Sequence, residues 1–239
     1  MEIPFSSRER AVGALREVTF EATVAGERVP GLLFVPPGEG PWPLVLVQHP
    51  ATSSKDDYFV RDVALQWAGA HGWACCGLDA PLHGERDEHD PMSVLRDRSR
   101  FTALASQFAG EVDAVVDALA ARYPLDTTRM GFVGYSLGSM LGIPAVAASG
   151  RFKAAAFCLV GDGGMLGSAA DEDSPVRRLG KVAVRIVAKL SDEFFSKEST
   201  ESLYAALPGE KDVVWLPGGH FEIGPDVIRA AEAWLRERL

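Results

Sequence analysis

"RMGFVGYSLGSML", Arg129 to Leu141, decides the fold of this chain. A short apolar run, Met130 to Val133, gives way without a polar linker to a helical pattern that begins at Ser136 and continues as "SLGSMLGIPAVAA". Ser136 stands at the junction, with Gly134 and Gly138 on either side. A serine held at positive φ on so tight a turn costs about 1 to 3 kcal/mol, and side chains two positions before and after it would collide. Glycine removes the collision. The arrangement presents a hydroxyl at the C-terminal edge of a sheet, with the Leu137 N–H and a helix N-terminus beside it. The plainer alternative is a turn serine that caps the helix, which serine often does.

Working outward, the same alternation of short apolar runs and longer helical patterns fills most of the chain. The runs are Leu44 to Gln48, Trp73 to Leu78, Met130 to Val133, Lys153 to Val160, Val182 to Ala188 and Asp212 to Leu216. Between them lie helical patterns at Tyr58 to Ala70, Met92 to Arg122 (read as two helices), Leu137 to Ala148, Lys197 to Leu207 and Pro225 to Arg238. Such alternation predicts a mostly parallel sheet covered by helices on both faces. Ahead of it, "LREVTFEATV" and "RVPGLLFV" flank a turn at Ala25 to Glu27, an antiparallel hairpin. Two hairpin strands and six later ones make an eight-stranded sheet. With 239 residues and no repeat or low-complexity tract, the chain is expected to form one domain, 1–239.

A net charge of −9 argues against a nucleic-acid partner, which needs a clustered basic face. No run reaches the ~18 apolar residues of a membrane helix. "MEIPFSSRERAV" lacks the apolar core of a signal peptide, so a soluble, cytoplasmic protein is expected. Cys75, Cys76 and Cys158 lie in apolar runs and are expected as buried free thiols.

A serine hydroxyl becomes a nucleophile only when a base takes its proton, and that base is in turn oriented by a carboxylate. "AKLSDEFF" puts Asp192 just past one apolar run, with Glu193 as an adjacent rival acid, and "WLPGGHFEIG" puts His220 just past the next. Both follow the ends of strands, where ligands gather in open α/β sheets. Each has an ordinary alternative: Asp192 as a helix N-terminal acid, His220 as a loop histidine satisfied by backbone.

On these residues the sequence resembles the α/β-hydrolase family, in its small serine esterases related to dienelactone hydrolases, over nearly its whole length. The resemblance implies the α/β-hydrolase fold with a minimal cap, Ser136 as nucleophile, Asp192 as acid and His220 as base. "QHPATSSKDD" resembles the family's loop carrying His-Gly, which implies an oxyanion hole made by the N–H groups of Ala51 and Leu137. Pro50 stands where the family has glycine, and Ser136 where dienelactone hydrolases proper carry cysteine. "DAPLHGER", Asp79 to Arg86, resembles a second family loop and is read as loop-building, with His83 structural.

The implied activity is hydrolysis of small or short-acyl carboxylic esters through an acyl-enzyme, with no cofactor and no metal. A peptidase, amidase or thioesterase on the same residues, or a ligand-binding protein without turnover, are the alternatives. The partner is a small-molecule ester; oligomeric state is not legible. His49 is read as a loop support and His71 as a helix C-terminal cap. "HGERDEHD" is read as a solvated acidic loop rather than a metal site, and "GDGGMLG" as a pocket wall. "EVDAVVDAL" spaces its apolar residues as a core-facing helix stripe. Only about twenty residues separate Val160 from Val182, too few for a wide lid domain, while the stretch Glu85 to Gln107 is expected to fold as a short helical cover.

Overall fold

The computed structural model describes residues 3–86 and 90–239. It contains one sheet of nine strands: β1 (Phe5–Val12), β2 (Leu15–Val24), β3 (Glu27–Val35), β4 (Trp42–Gln48), β5 (Ala74–Leu78), β6 (Leu125–Tyr135), β7 (Phe152–Cys158), β8 (Ala183–Lys189) and β9 (Lys211–Leu216). Their order across the sheet is β1-β2-β3-β5-β4-β6-β7-β8-β9. The first three strands are antiparallel, as is the pairing of β3 with β5; every pair from β5 to β9 is parallel.

The sheet has one strand more than the eight expected. β1, "FSSRERAV", presents no fully buried residue, so no apolar run announces it. It pairs only with β2, and its Arg10 meets Glu17 directly across the ladder at 2.8 Å. Charge on an outer strand protects an unpaired edge from joining other chains.

The central strands show the opposite pattern. All seven residues of β4 are buried, and they alternate between the two faces: Leu44 and Leu46 pack on one side, Val45 and Val47 on the other. A strand covered on both faces must be apolar throughout. Five helices supply the cover: α1 (Arg61–His71), α2 (Arg98–Ala120), α3 (Leu137–Ser149), α4 (Lys197–Ala206) and α5 (Pro225–Arg236). The Val112, Val115 and Leu119 stripe of α2 joins Leu141 and Val146 of α3 on one face, and Trp67 of α1 joins Trp234 and Leu235 of α5 on the other.

The expected pair of helices within Met92 to Arg122 resolves into a 3-10 turn, Pro91–Leu95, and the long α2, whose first turn is capped by the Asp97 carboxylate. His71 does not cap α1. Gly72, at φ 67°, ends that helix, while the His71 ring turns away to lie 2.6 Å from Glu232 of α5. Asp87, Glu88 and His89 of the acidic "HGERDEHD" loop lie outside the described residues. The three cysteines are buried and free. No helix among the described residues is long and apolar enough to cross a membrane.

Candidate active site

Ser136 sits between β6 and α3 at φ 51° and ψ −111°. The strained turn is over-determined by its surroundings. Ser136 donates its backbone N–H to the Cys158 carbonyl at 2.9 Å. The buried Ser139 hydroxyl lies 2.7 Å from the Gly134 carbonyl and 2.8 Å from that of Cys158. A Cβ on Gly134 would come within 2.5 Å of the Gly138 backbone, the collision the sequence implied. A Cβ on Gly138 would meet a different obstacle, the Gln48 carbonyl at 2.4 Å. The second glycine therefore lets α3 press onto the end of β4.

Although Ser136 occupies the cap position of α3, its side chain makes no capping bond. Its hydroxyl instead lies 2.8 Å from Nε2 of His220, whose Nδ1 is 2.9 Å and 3.0 Å from the two carboxylate oxygens of Asp192. With the carboxylate accepting from Nδ1–H, Nε2 is left free to accept the serine proton. Asp192 also receives the Phe194 and Phe195 N–H groups, both at 2.9 Å. Burial pushes its pKa upward most strongly of any single influence. The bond from His220 and the two backbone donors outweigh burial and hold the carboxyl below its usual range.

Glu193, the rival acid, faces the same loop in another way. Its carboxylate accepts the His220 backbone N–H at 2.7 Å. One acid thus reaches the ring and its neighbour the main chain. The resemblance implied Asp192 as the acid, but spacing alone does not separate adjacent carboxylates, and nothing in the sequence pointed to the Glu193 contact with the His220 backbone.

The loop after β4 approaches from the other side. His49 is fully buried; the Ala80 N–H donates to its Nε2 at 3.0 Å, so Nδ1 carries the proton and donates to the Pro50 carbonyl at 2.7 Å. Burial drives its pKa down to about 3, keeping the ring neutral. The Pro50–Ala51 peptide is trans, so a carbonyl turned toward His49 leaves the Ala51 N–H on the side away from that ring. Pro50 has no N–H to offer, and its contact with His49 is made through its carbonyl. Further along, Lys55 is buried with Asp79 and lies 3.2 Å from its carboxylate, while its other partners are Asp56 and Glu85. His83 is buried against the Pro81 carbonyl at 2.8 Å.

These loops surround a cavity of about 480 Å³. Ala51, Ser136, Met140, Met165, His220 and Phe221 are among its lining residues. Met165 and Gly164 come from the "GDGGMLG" segment, and Met92 and Leu95 from the 3-10 turn before α2, so both stretches wall the cavity. Between β7 and β8 there are two 3-10 turns and no inserted domain. The aromatic residues Phe194, Phe195 and Phe221 around the His220 ring had no role in the sequence reading; the signal available was a phenylalanine directly after His220 and a phenylalanine pair after Asp192-Glu193. Among the described residues no cluster of three or more histidine, cysteine or acidic side chains is arranged to hold a metal ion.

No protein-family model matches the chain, and no curated protein sequence matches it. Solved structures do. A cold-adapted esterase from an Arctic intertidal metagenomic library aligns at 25% identity and TM-score 0.82, covering 99% of each chain. The acetyl xylan esterase from Paenibacillus sp. R4 aligns at 16% identity and TM-score 0.75, over 99% of this chain and 89% of that one. TT1662 from Thermus thermophilus aligns at 22% identity and TM-score 0.70, over 97% and 98%. Sheet order, helix placement and these likenesses together make this an α/β-hydrolase fold.

Proposed function

We propose that the chain is a carboxylic ester hydrolase working through Ser136, His220 and Asp192. The observation that carries this reading is the unbroken contact from serine hydroxyl to imidazole to carboxylate, 2.8 Å and 2.9 Å, opening on an apolar cavity. The likeness to an esterase at 25% identity over nearly the full length supports it.

In the proposed reaction, His220 Nε2 takes the Ser136 proton as the oxygen attacks the ester carbonyl. Asp192 stabilises the imidazolium and fixes its tautomer. The developing oxyanion rests on the N–H groups of Ala51 and Leu137. Leu137 is the first residue of α3, where backbone donors have no partner within the helix and the helix dipole favours negative charge. His220 then delivers its proton to the departing alcohol. Water, activated by the same ring, hydrolyses the acyl-enzyme. Each oxyanion donor of this kind contributes about 100-fold or more to the rate. The residues require no metal for any of these steps.

An open site without an inserted cap, and a cavity of modest size, favour small or short-acyl esters. An acyl-length series should therefore give its highest kcat/KM at the short end; fastest turnover of the long chains would reject that substrate class. The test of the chemistry is covalent labelling by a fluorophosphonate. The expected result is one label per chain, lost in Ser136→Ala, together with hydrolysis of nitrophenyl esters ahead of anilides and thioesters. Labelling without ester turnover would favour the amidase or thioesterase alternatives, and no labelling of a folded chain would favour a ligand-binding role.

A further inference from the structure

Three phenylalanine rings surround His220: Phe194 at 4.7 Å between centroids, Phe195 at 5.7 Å and Phe221 at 5.7 Å. Two of them are not core residues. Phe194 is 60% exposed and Phe221 78% exposed, and they stand edge to face at 5.6 Å and 83°. Large aromatic side chains left in water beside a cavity mark a surface waiting to be covered. The chemistry of the proposed reaction says what covers it. The leaving oxygen must come within hydrogen-bond distance of His220 Nε2 to receive a proton, so the group attached to that oxygen has to extend past the imidazole. Phe194 and Phe221 stand against that imidazole and line the same cavity as Ser136.

Building on the ester-hydrolase reading, we propose that Phe194 and Phe221 form a leaving-group subsite for esters of aromatic alcohols, with a short acyl group on the other side of Ser136. An aromatic ring entering beside Phe194 and Phe221 adds edge-to-face or offset contacts to the burial of its own surface, which an alkyl group of two carbons does not. The ester carbon bears the Ser136 oxygen in the intermediate. The C–O bond to the arylmethyl group's oxygen breaks as the leaving oxygen takes the proton from His220, the acyl group stays on Ser136, and the alcohol departs past the two phenylalanines.

Three esters test it: benzyl acetate, ethyl acetate and ethyl phenylacetate. The first two release alcohols of similar basicity, and the third moves the aromatic ring to the acyl side. Wild type should show at least a tenfold higher kcat/KM for benzyl than for ethyl acetate. The double variant Phe194→Ala/Phe221→Ala should cut that ratio roughly tenfold, and Phe194→Leu/Phe221→Leu should cut it by less. The ratio of ethyl phenylacetate to ethyl acetate should be the same in all three proteins. Both side chains are exposed, so a thermal midpoint close to wild type shows that folding is not the cause. Turnover without a benzyl preference, or a preference that survives the alanine pair, overturns the subsite alone. Turnover of none of the esters overturns the hydrolase reading and the subsite with it.

Discussion

The two loops that meet at Ser136 each have a buried lysine anchor and differ in what they leave exposed. The one after β4 is anchored inward. His49 is buried and neutral, Lys55 is 3% exposed, and its carboxylate partner Asp79 is wholly inaccessible. Burial would lower the Lys55 pKa more than any other influence, but Glu85, Asp79 and Asp56 raise it above its ordinary value. The loop after β9 is anchored inward too, through Lys189, also 3% exposed, but it leaves an aromatic side chain open. Lys189 holds the Pro217 carbonyl at 3.0 Å, Tyr58 donates to that of Ile223 at 2.6 Å, and Glu193 takes the His220 N–H. Its own phenylalanine faces solvent. An oxyanion donor gains from being fixed before the reaction, because reorganisation then costs nothing at the transition state. In the proposed reaction His220, as base, must instead stay reachable by an alcohol that enters and leaves. On that reading the difference in exposure between the loops follows the difference in task.

The contrast can be broken most severely at the acid. Asp192→Asn should keep the fold yet lower kcat by about 10⁴-fold, since an amide favours the wrong imidazole tautomer. Steady-state kinetics on a short-acyl ester would show it, and a loss below tenfold would mean that another group orients His220. Next in size is Lys55→Met. Removing one partner of a buried pair leaves Asp79 uncompensated and should cost about 3 kcal/mol in urea unfolding, whereas Phe221→Ala should stay within about 0.5 kcal/mol. Equal losses in the two would erase the distinction between a buried anchor and an exposed side chain.

His49 sharpens the comparison through pH. Its pKa is about 3 in the folded chain against about 6.5 when unfolded, so between these values the unfolded state binds a proton that the native state refuses. Stability from this residue is full above pH 6.5 and falls on acidification, by about 1.4 kcal/mol per pH unit at most. Denaturation at pH 7, 6 and 5 should show a steeper decline in wild type than in His49→Asn; parallel curves would exclude the ring as the source. The smallest effect belongs to Glu193. Replacing it with Ala removes an acceptor from the His220 N–H and should lower kcat roughly three- to tenfold with KM little changed. Glu193→Gln, which keeps an acceptor, should recover most of that loss.

The sequence was readable wherever burial or backbone geometry imposed a pattern. A strand covered on both faces has to be apolar, which made β4 visible, and a turn held at positive φ beside a crossing strand has to carry small residues, which made Gly134-Tyr135-Ser136-Leu137-Gly138 visible. β1 obeys neither constraint. Its outward charges protect an edge, and they resemble a loop until the Arg10 to Glu17 register is seen. His71 looked like a cap because it ends a helix, yet its partner Glu232 lies 161 positions away.

By itself, then, the sequence determined a parallel α/β sheet and placed a serine, an acid and a histidine after three of its strands. Only the tertiary structure decided that Ser136 and Asp192 each lie within 3 Å of the His220 ring, that Glu193 takes the His220 backbone, and that Phe194 and Phe221 stand open beside that ring. The reason is physical. Periodicity records which face of an element is buried, but the contact between two loops depends on how strands far apart in the chain are ordered in the sheet, and no local pattern encodes that order.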